Sequence, residues 1–218
     1  MKMISRRDFL KASAVVGAAG VLTACGGKSD AQTSTDDATD TSDNSQQTTA
    51  EETAQPIGQH HAQITIKDHG TIDIELDGDA APISVQNFMD LANDGFYDGL
   101  TFHRIITGFM MQGGDPLGNG TGGPGWNIKG EFAANGVNNP LKHTRGVISM
   151  ARAMNPNSAG SQFFIMHQDA PHLDGQYAAF GKVVAGMDVV DKIAAVRTDW
   201  NDKPTTPVKM KTVELIEG

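Results

Sequence analysis

From Ala62 onward, large apolar side chains fall on alternate positions: Ile64 and Ile66, then Ile72, Ile74 and Leu76, with Thr65, Lys67, Asp73 and Glu75 in the opposite phase. A period of two buries one set and solvates the other, so the segment predicts a β-hairpin turning at Asp68-His69-Gly70. The period then becomes helical. Between Pro82 and Ala92, the residues Val85, Phe88 and Leu91/Ala92 form one stripe, Pro82 or Ser84 marks the start, and Gly95 marks the end. Short strand-like runs return at 146–151, 161–167 and 178–184. A second helix is expected over 187–196, with Val189, Val190, Ile193 and Ala194 inward, and a last strand over 209–216. The 25 glycines and an aromatic content of only 6% favour a loop-rich β protein over a helical bundle.

One stretch breaks these simple patterns. Residues 97–115 read Y-D-G-L-T-F-H-R-I-I-T-G-F-M-M-Q-G-G-D, placing a cation, Arg104, and an amide, Gln112, among Phe102, Phe109, Met110 and Met111. If the stretch forms two strands broken at Thr107-Gly108, period two puts Phe102 with Arg104 on one face, and Met110 with Gln112 on one face. An apolar wall carrying a few oriented polar groups is how peptide and small-molecule sites are built. Residues 116–145 follow, rich in Gly, Asn and Pro. Gly118, Gly120, Gly122, Gly123 and Gly125 do not make a phosphate cradle, since no Gly-Lys-Ser/Thr follows and no strand-to-helix context frames them. A long ordered loop over the domain, pinned by Trp126 and Phe132, is expected instead. Ser161 lacks the Gly-x-Ser-x-Gly elbow, which argues against acyl transfer.

Charge and the N-terminus add the setting. The net charge is −9. Lys2, Arg6, Arg7 and Lys11 outnumber Asp8 by three in the first 24 residues, so the remainder carries about −12, unsuited to nucleic acid. Ser5-Arg6-Arg7-Asp8-Phe9-Leu10-Lys11 is a twin-arginine pattern, and the apolar run from 12 to 24 is short for a bilayer span. Leu22-Thr23-Ala24-Cys25 resembles a bacterial lipobox, so residues 1–24 are expected to be a signal peptide and Cys25 a lipidated anchor to a bacterial membrane, outside the cytoplasm. Cys25 is the single cysteine, which excludes an intramolecular disulfide. Residues 25–58 are dominated by Ser, Thr, Asp, Gln and Ala and are expected to be a disordered acidic linker, with the folded domain over 59–218. His60, His61 and His69 lack thiol or acidic partners at ligand spacing, so no metal site is expected.

Four segments taken together resemble one family. They are Phe102-His103-Arg104 with 108–115 (G-F-M-M-Q-G-G-D), Ser149-Met150-Ala151, Gly160-Ser161-Gln162-Phe163-Phe164-Ile165, and Leu173-Asp174-Gly175 with Phe180-Gly181-Lys182-Val183. In this order they are similar to the cyclophilins, the peptidyl-prolyl cis/trans isomerases, over about 64–216. The resemblance implies a mainly β fold: a closed eight-stranded antiparallel barrel capped by two helices, with the substrate groove on its outer face. It also implies Arg104, Gln112 and Phe109 as catalytic residues, and Met110, Ala151, Arg152, Phe164, His172, Leu173 and Tyr177 as substrate-binding residues. Proline-containing polypeptides are the implied partners, met by a monomer that needs neither cofactor nor metal.

The chemistry suits that residue set. Rotation about an X-Pro bond breaks amide resonance without making or cutting a bond, so a fixed cation near the prolyl nitrogen and an apolar pocket for the ring suffice. Three positions depart from the family's eukaryotic pattern: His172 stands where those members carry a tryptophan, Tyr177 where they carry a histidine, and Arg152 replaces an asparagine. Weakened cyclosporin affinity and an altered sequence preference are expected from these changes. A module that binds proline segments with little turnover is the second reading they leave open.

Overall fold

The computed structural model describes residues 55–217. The expected signal peptide, the lipidated Cys25 and the linker as far as residue 54 lie outside the described residues. The last linker positions do not behave as a spacer. Ile57 donates its N–H to the Gly78 carbonyl and Gly58 donates to Asp79 Oδ1, so the folded domain begins ahead of residue 59.

Strands β1 (Gln59–Ile66) and β2 (Gly70–Asp77) form the expected hairpin. Ile64 pairs with Ile72 and Ala62 with Ile74, so the apolar phase of both strands faces one side and is fully buried. The turn is made by Asp68 and Gly70, both at positive φ (65° and 120°). Helix α1 (Pro82–Asn93) buries Val85, Phe88, Leu91 and Ala92. Phe88 packs on Tyr97, Phe163 and Phe180 at ring-centroid distances of 5.1, 5.6 and 5.5 Å.

The sequence suggested Pro82 or Ser84 as the start signal of α1. Pro82 does open the helix, but its N-cap residue, Ala81, offers no side-chain acceptor. The acceptor arrives from far along the chain: the buried Glu131 carboxylate takes the N–H groups of Ile83 (2.9 Å) and Ser84 (2.8 Å) and the Ser84 hydroxyl (2.6 Å). A carboxylate there satisfies orphan donors and complements the positive end of the helix dipole.

The remaining strands are β3 (Thr101–Phe102), β4 (Arg104–Ile106), β5 (Met110–Gly113), β6 (Val147–Met150), β7 (Phe163–Met166), β8 (Ala179–Ala185) and β9 (Val208–Ile216). Helix α2 (Met187–Ala194) precedes β9. They make one antiparallel sheet in the order β3-β9-β1-β2-β8-β6-β7-β5-β4. Its two outer members, β3 and β4, are separated in sequence only by His103, so the chain itself joins the first strand of the sheet to the last. The eight strands expected for a closed barrel and the nine observed differ by this one interruption. Val189, Val190, Ile193 and Ala194 of α2 are buried as expected.

The break at His103 corrects one expectation. Phe102 and Ile105 are both buried in the main core, while Arg104 is exposed, so Phe102 and Arg104 do not share a face. One residue outside the ladder shifts the alternation by one, as a bulge does. Past it the period holds: Ile105 and Met111, directly opposed, point into the core, while Met110 belongs to a separate apolar cluster. Gly114 (φ 81°) turns the chain out of β5 against the Ser161 carbonyl, where a Cβ would collide.

The long loop is pinned, though not quite as expected. Phe132 is buried, but Trp126 is 47% exposed and is held through Nε1–H to Asn87 Oδ1 at 3.0 Å. Asp115 shapes the glycine run. Burial alone would raise its pKa, but N–H groups of Leu117, Gly120 and Asn119 hold it below the usual carboxylate value.

Candidate active site

Antiparallel pairing carries one row of side chains across four strands. Arg104 on β4 lies opposite Gln112 on β5, Gln112 opposite Phe164 on β7, and Phe164 opposite Ser149 on β6. The next row, Ile105, Met111, Ile165 and Ile148, is buried in the barrel core. Because neighbouring rows face opposite ways, filling the barrel with the second row turns the first outward. Adjacent strands lie about 4.8 Å apart, so Arg104 and Phe164 are separated by about 10 Å, the reach of about three extended residues.

An apolar floor lies beside this row. Met110, Phe164 and Leu173 are buried together with Val147, Met166 and Ala179, and Phe109, Ala151 and Tyr177 pack on them partly buried. Tyr177 meets Phe164 edge-on at 5.8 Å, and the exposed His172 stacks on Phe109 at 5.8 Å and 25°. Strand pairing and packing thus bring Arg104, Gln112, Phe164, Met110, Leu173, Phe109, Ala151, Tyr177 and His172 near one another. Arg152, the tenth predicted groove residue, has the most distinctive part. Its guanidinium lies 4.7 Å from the centre of the Tyr177 ring and 5.0 Å from that of Phe132, and it donates to the Gln176 carbonyl from Nε (3.1 Å) and Nη2 (2.8 Å). Here an arginine builds the wall by cation–π stacking and main-chain hydrogen bonds.

The polar groups are oriented. Gln112 donates from Nε2 to Gln162 Oε1 at 2.9 Å, and Gln162 donates in turn to the carbonyls of Gly120 (3.1 Å) and Gly122 (2.8 Å). Gln162, in the same period-two phase as Phe164, is not among the sequence-predicted groove residues, yet it orients Gln112. Beside Gln112, Ala151, Arg152 and Gln162, a second open groove of about 740 Å³ runs along Pro124 and Trp126 of the long loop. The Ala151 N–H is already given to the Gln162 carbonyl at 2.9 Å.

Behind the floor sits His143, also without a signal in the sequence. It is buried, its ring runs near parallel to Phe164 at 6.1 Å, Nδ1 lies 3.0 Å from Asp174 Oδ1, and Nε2 lies 3.1 Å from Ser149 Oγ. Burial lowers its pKa more than the Asp174 carboxylate raises it. The imidazole is therefore neutral at pH 7, donating from Nδ1 to Asp174 and accepting the Ser149 hydroxyl at Nε2.

Arg104 differs from these packed groups. Its side chain is 44% exposed, and its one ion-pair partner among the described residues is Asp202, with Nε 3.4 Å from Oδ2. An exposed cation at the end of a row holding an amide and a buried aromatic is an arrangement for charge stabilisation next to an apolar pocket.

Comparison with known proteins agrees with this geometry. The family described as "Cyclophilin type peptidyl-prolyl cis-trans isomerase/CLD" matches residues 61–215, and a twin-arginine translocation pathway signal sequence matches residues 3–23. The chain is 52% identical over 123 residues to peptidyl-prolyl cis-trans isomerase B of Bacillus subtilis, covering 56% of this chain and 82% of that protein. It is 53% identical over 135 residues to a peptidyl-prolyl cis-trans isomerase of Helicobacter pylori, covering 61% and 80% respectively. A Cryptosporidium parvum cyclophilin type isomerase crystallised in the presence of the dipeptide Ala-Pro superposes with a TM-score of 0.67 at 33% identity, covering 72% of this chain and 99% of that one. With the family model spanning nearly all of the described domain, this chain belongs to the cyclophilin-type peptidyl-prolyl cis-trans isomerases.

Proposed function

We propose that this chain accelerates X-Pro bond rotation in polypeptides outside the cytoplasm, with Arg104 stabilising the twisted amide. The observation that carries the reading is the cross-strand row Arg104–Gln112–Phe164 beside the apolar floor. The uncatalysed barrier is about 18–20 kcal/mol, because the amide must lose its conjugation. As it twists, the prolyl nitrogen regains a lone pair, and a cation held near it favours the twisted state over either planar one. Met110, Phe164 and Leu173 form the pocket for the proline ring, with Phe109 and Tyr177 at its margin. Gln112, steadied by Gln162, takes the peptide carbonyl with its remaining N–H. Ala151 contributes its carbonyl oxygen to an extended substrate, since its N–H is engaged internally. The chain's own departures, His172 against Phe109 and Arg152 against Tyr177, shape the walls and so the sequence preference.

The twin-arginine signal supports export. We read Leu22-Thr23-Ala24-Cys25 as the lipid attachment site, which tethers the domain as a folding helper at a bacterial membrane. The test of the isomerase mechanism is a protease-coupled cis-prolyl peptide assay on wild type and Arg104→Ala. Loss of the guanidinium is expected to lower kcat/KM by about 10²-fold, the scale of removing one preorganised transition-state donor. A variant that retains most of the rate refutes the role of Arg104. Normal peptide binding without rate enhancement in wild type refutes turnover and leaves a binding module.

A further inference from the structure

We infer that Asp202 is a positioning residue for the isomerisation, acting through Arg104. The inference rests on the role proposed above for that arginine. Four of the five guanidinium N–H groups are on the terminal nitrogens, and among the described residues none of them donates a hydrogen bond. The edge nitrogen, Nε, lies 3.4 Å from Asp202 Oδ2. A flexible side chain that is 44% exposed samples many rotamers unless something restrains it. A carboxylate on the Nε edge selects the orientations in which both terminal nitrogens stay free for the substrate amide.

The loop that carries Asp202 is built to hold it there. Asp199 Oδ1 accepts the N–H groups of Asn201 (2.8 Å) and Lys203 (3.0 Å), and Asp199 N–H returns to the Lys203 carbonyl (2.8 Å). Thr198 bridges Pro204, and Thr205 donates its N–H to the Arg197 carbonyl at 2.9 Å. Asp202 itself is one of only two non-glycine residues at positive φ (62°) among those described. It is fastened to the catalytic strand by its own carbonyl, which accepts the N–H of Ile105, the residue after Arg104, at 2.8 Å. A left-handed residue costs local strain, and an aspartate bears it better than most. Carbonyl and carboxylate of one residue thus grip two successive residues of β4.

A surface ion pair adds little to fold stability, but a restraint on a group that acts in the transition state appears in the rate. The experiment uses the purified full-length chain and a proline tetrapeptide, read by the coupled assay for kcat and KM and by thermal unfolding. Asp202→Asn keeps the tolerance for positive φ and removes the charge. It is expected to lower kcat about three- to fivefold, the factor corresponding to one half-exposed ion pair, with KM within about twofold and the unfolding midpoint unchanged. Raising NaCl from about 0.05 M to about 1 M should slow wild type toward the variant and leave the variant nearly flat, because salt screens the pair. Asp202→Glu should recover part of the rate. In the Arg104→Ala background, Asp202→Asn should cost nothing further. Wild-type kcat in Asp202→Asn, an increased kcat, or a loss that persists in the Arg104→Ala background overturns the inference. If Arg104→Ala itself retains activity, the proposed role of the arginine fails first, and Asp202 with it.

Discussion

Glu131 is the residue whose removal should tell most about how the site is supported. The perturbation is Glu131→Ala. Its side chain is 2% exposed and its two oxygens accept three donors, the Ile83 and Ser84 N–H groups and the Ser84 hydroxyl. Alanine leaves all three without an acceptor at the mouth of α1. Each unsatisfied buried donor costs about 1–3 kcal/mol, and the lost charge at the helix N-terminus about 0.3–1 kcal/mol more. Water entering the vacated space and rotation of the Ser84 hydroxyl recover part of this, so a loss of about 3 kcal/mol is expected from urea unfolding, with an unchanged m-value. Glu131→Gln keeps one acceptor and the shape, and should lose about half as much.

The same substitution has a functional reading. Phe132, the next residue, carries the Arg152 guanidinium that in turn covers Tyr177. Freeing the loop at Glu131 should therefore loosen the Tyr177 wall and raise KM for proline peptides while the protein is still folded. A stability loss below about 1 kcal/mol for alanine, well under the cost of the unsatisfied donors, refutes the capping argument. Equal losses for alanine and glutamine refute the importance of the acceptor count.

Two further outcomes can be checked directly. His143, facing Asp174, His172 and Lys142, and His103, facing Asp115, Arg104 and Lys203, both have folded pKa values lowered by burial below the ordinary 6.5. The unfolded chain then binds protons that the native one refuses, so stability is complete above about pH 6.5 and falls as pH drops toward the folded values, before the lowered Asp174 and Asp115 add their losses in stronger acid; an unfolding temperature that is flat between about pH 7 and pH 5 contradicts this. For the membrane tether, Cys25→Ser in the full chain should move the protein from the membrane pellet to the soluble fraction of an expressing bacterium, and a wild-type protein that is already soluble and carries no lipid mass refutes the anchor.

Alternation made the β1–β2 hairpin legible because both strands have one buried and one wetted face, the condition under which period two is written into a sequence. The stripes of α1 and α2 were legible for the same reason. The phase of Phe102 against Arg104 was not, since nothing in the residue types announces that His103 leaves the ladder. The ten residues expected in the groove come from ordered motifs, whereas Gln162, His143, Glu131 and Asp202 meet partners 31 to 98 residues away. Local pattern carries no trace of such contacts. Trp126 pins the loop, but through its N–H to Asn87 Oδ1 while its side chain stays exposed, a partner that local pattern does not name.

The two adjoining rows explain why an outer-face site can be held accurately on a small barrel. Ile105, Met111, Ile165 and Ile148 fill the interior, and Arg104, Gln112, Phe164 and Ser149 are their immediate neighbours in the same ladders. A one-residue slip that exchanged the two rows would bring a charge in β4, an amide in β5 or a hydroxyl in β6 into the core and expel an aliphatic side chain, at a cost of several kcal/mol. The hydrophobic core therefore sets the register of the row that carries Arg104, Gln112 and Phe164. Substitutions that repack the interior without shifting register should spare the chemistry. The groups that the ladder cannot hold, the exposed end of Arg104 and the Tyr177 wall, are the ones given partners from outside it, Asp202 and Arg152.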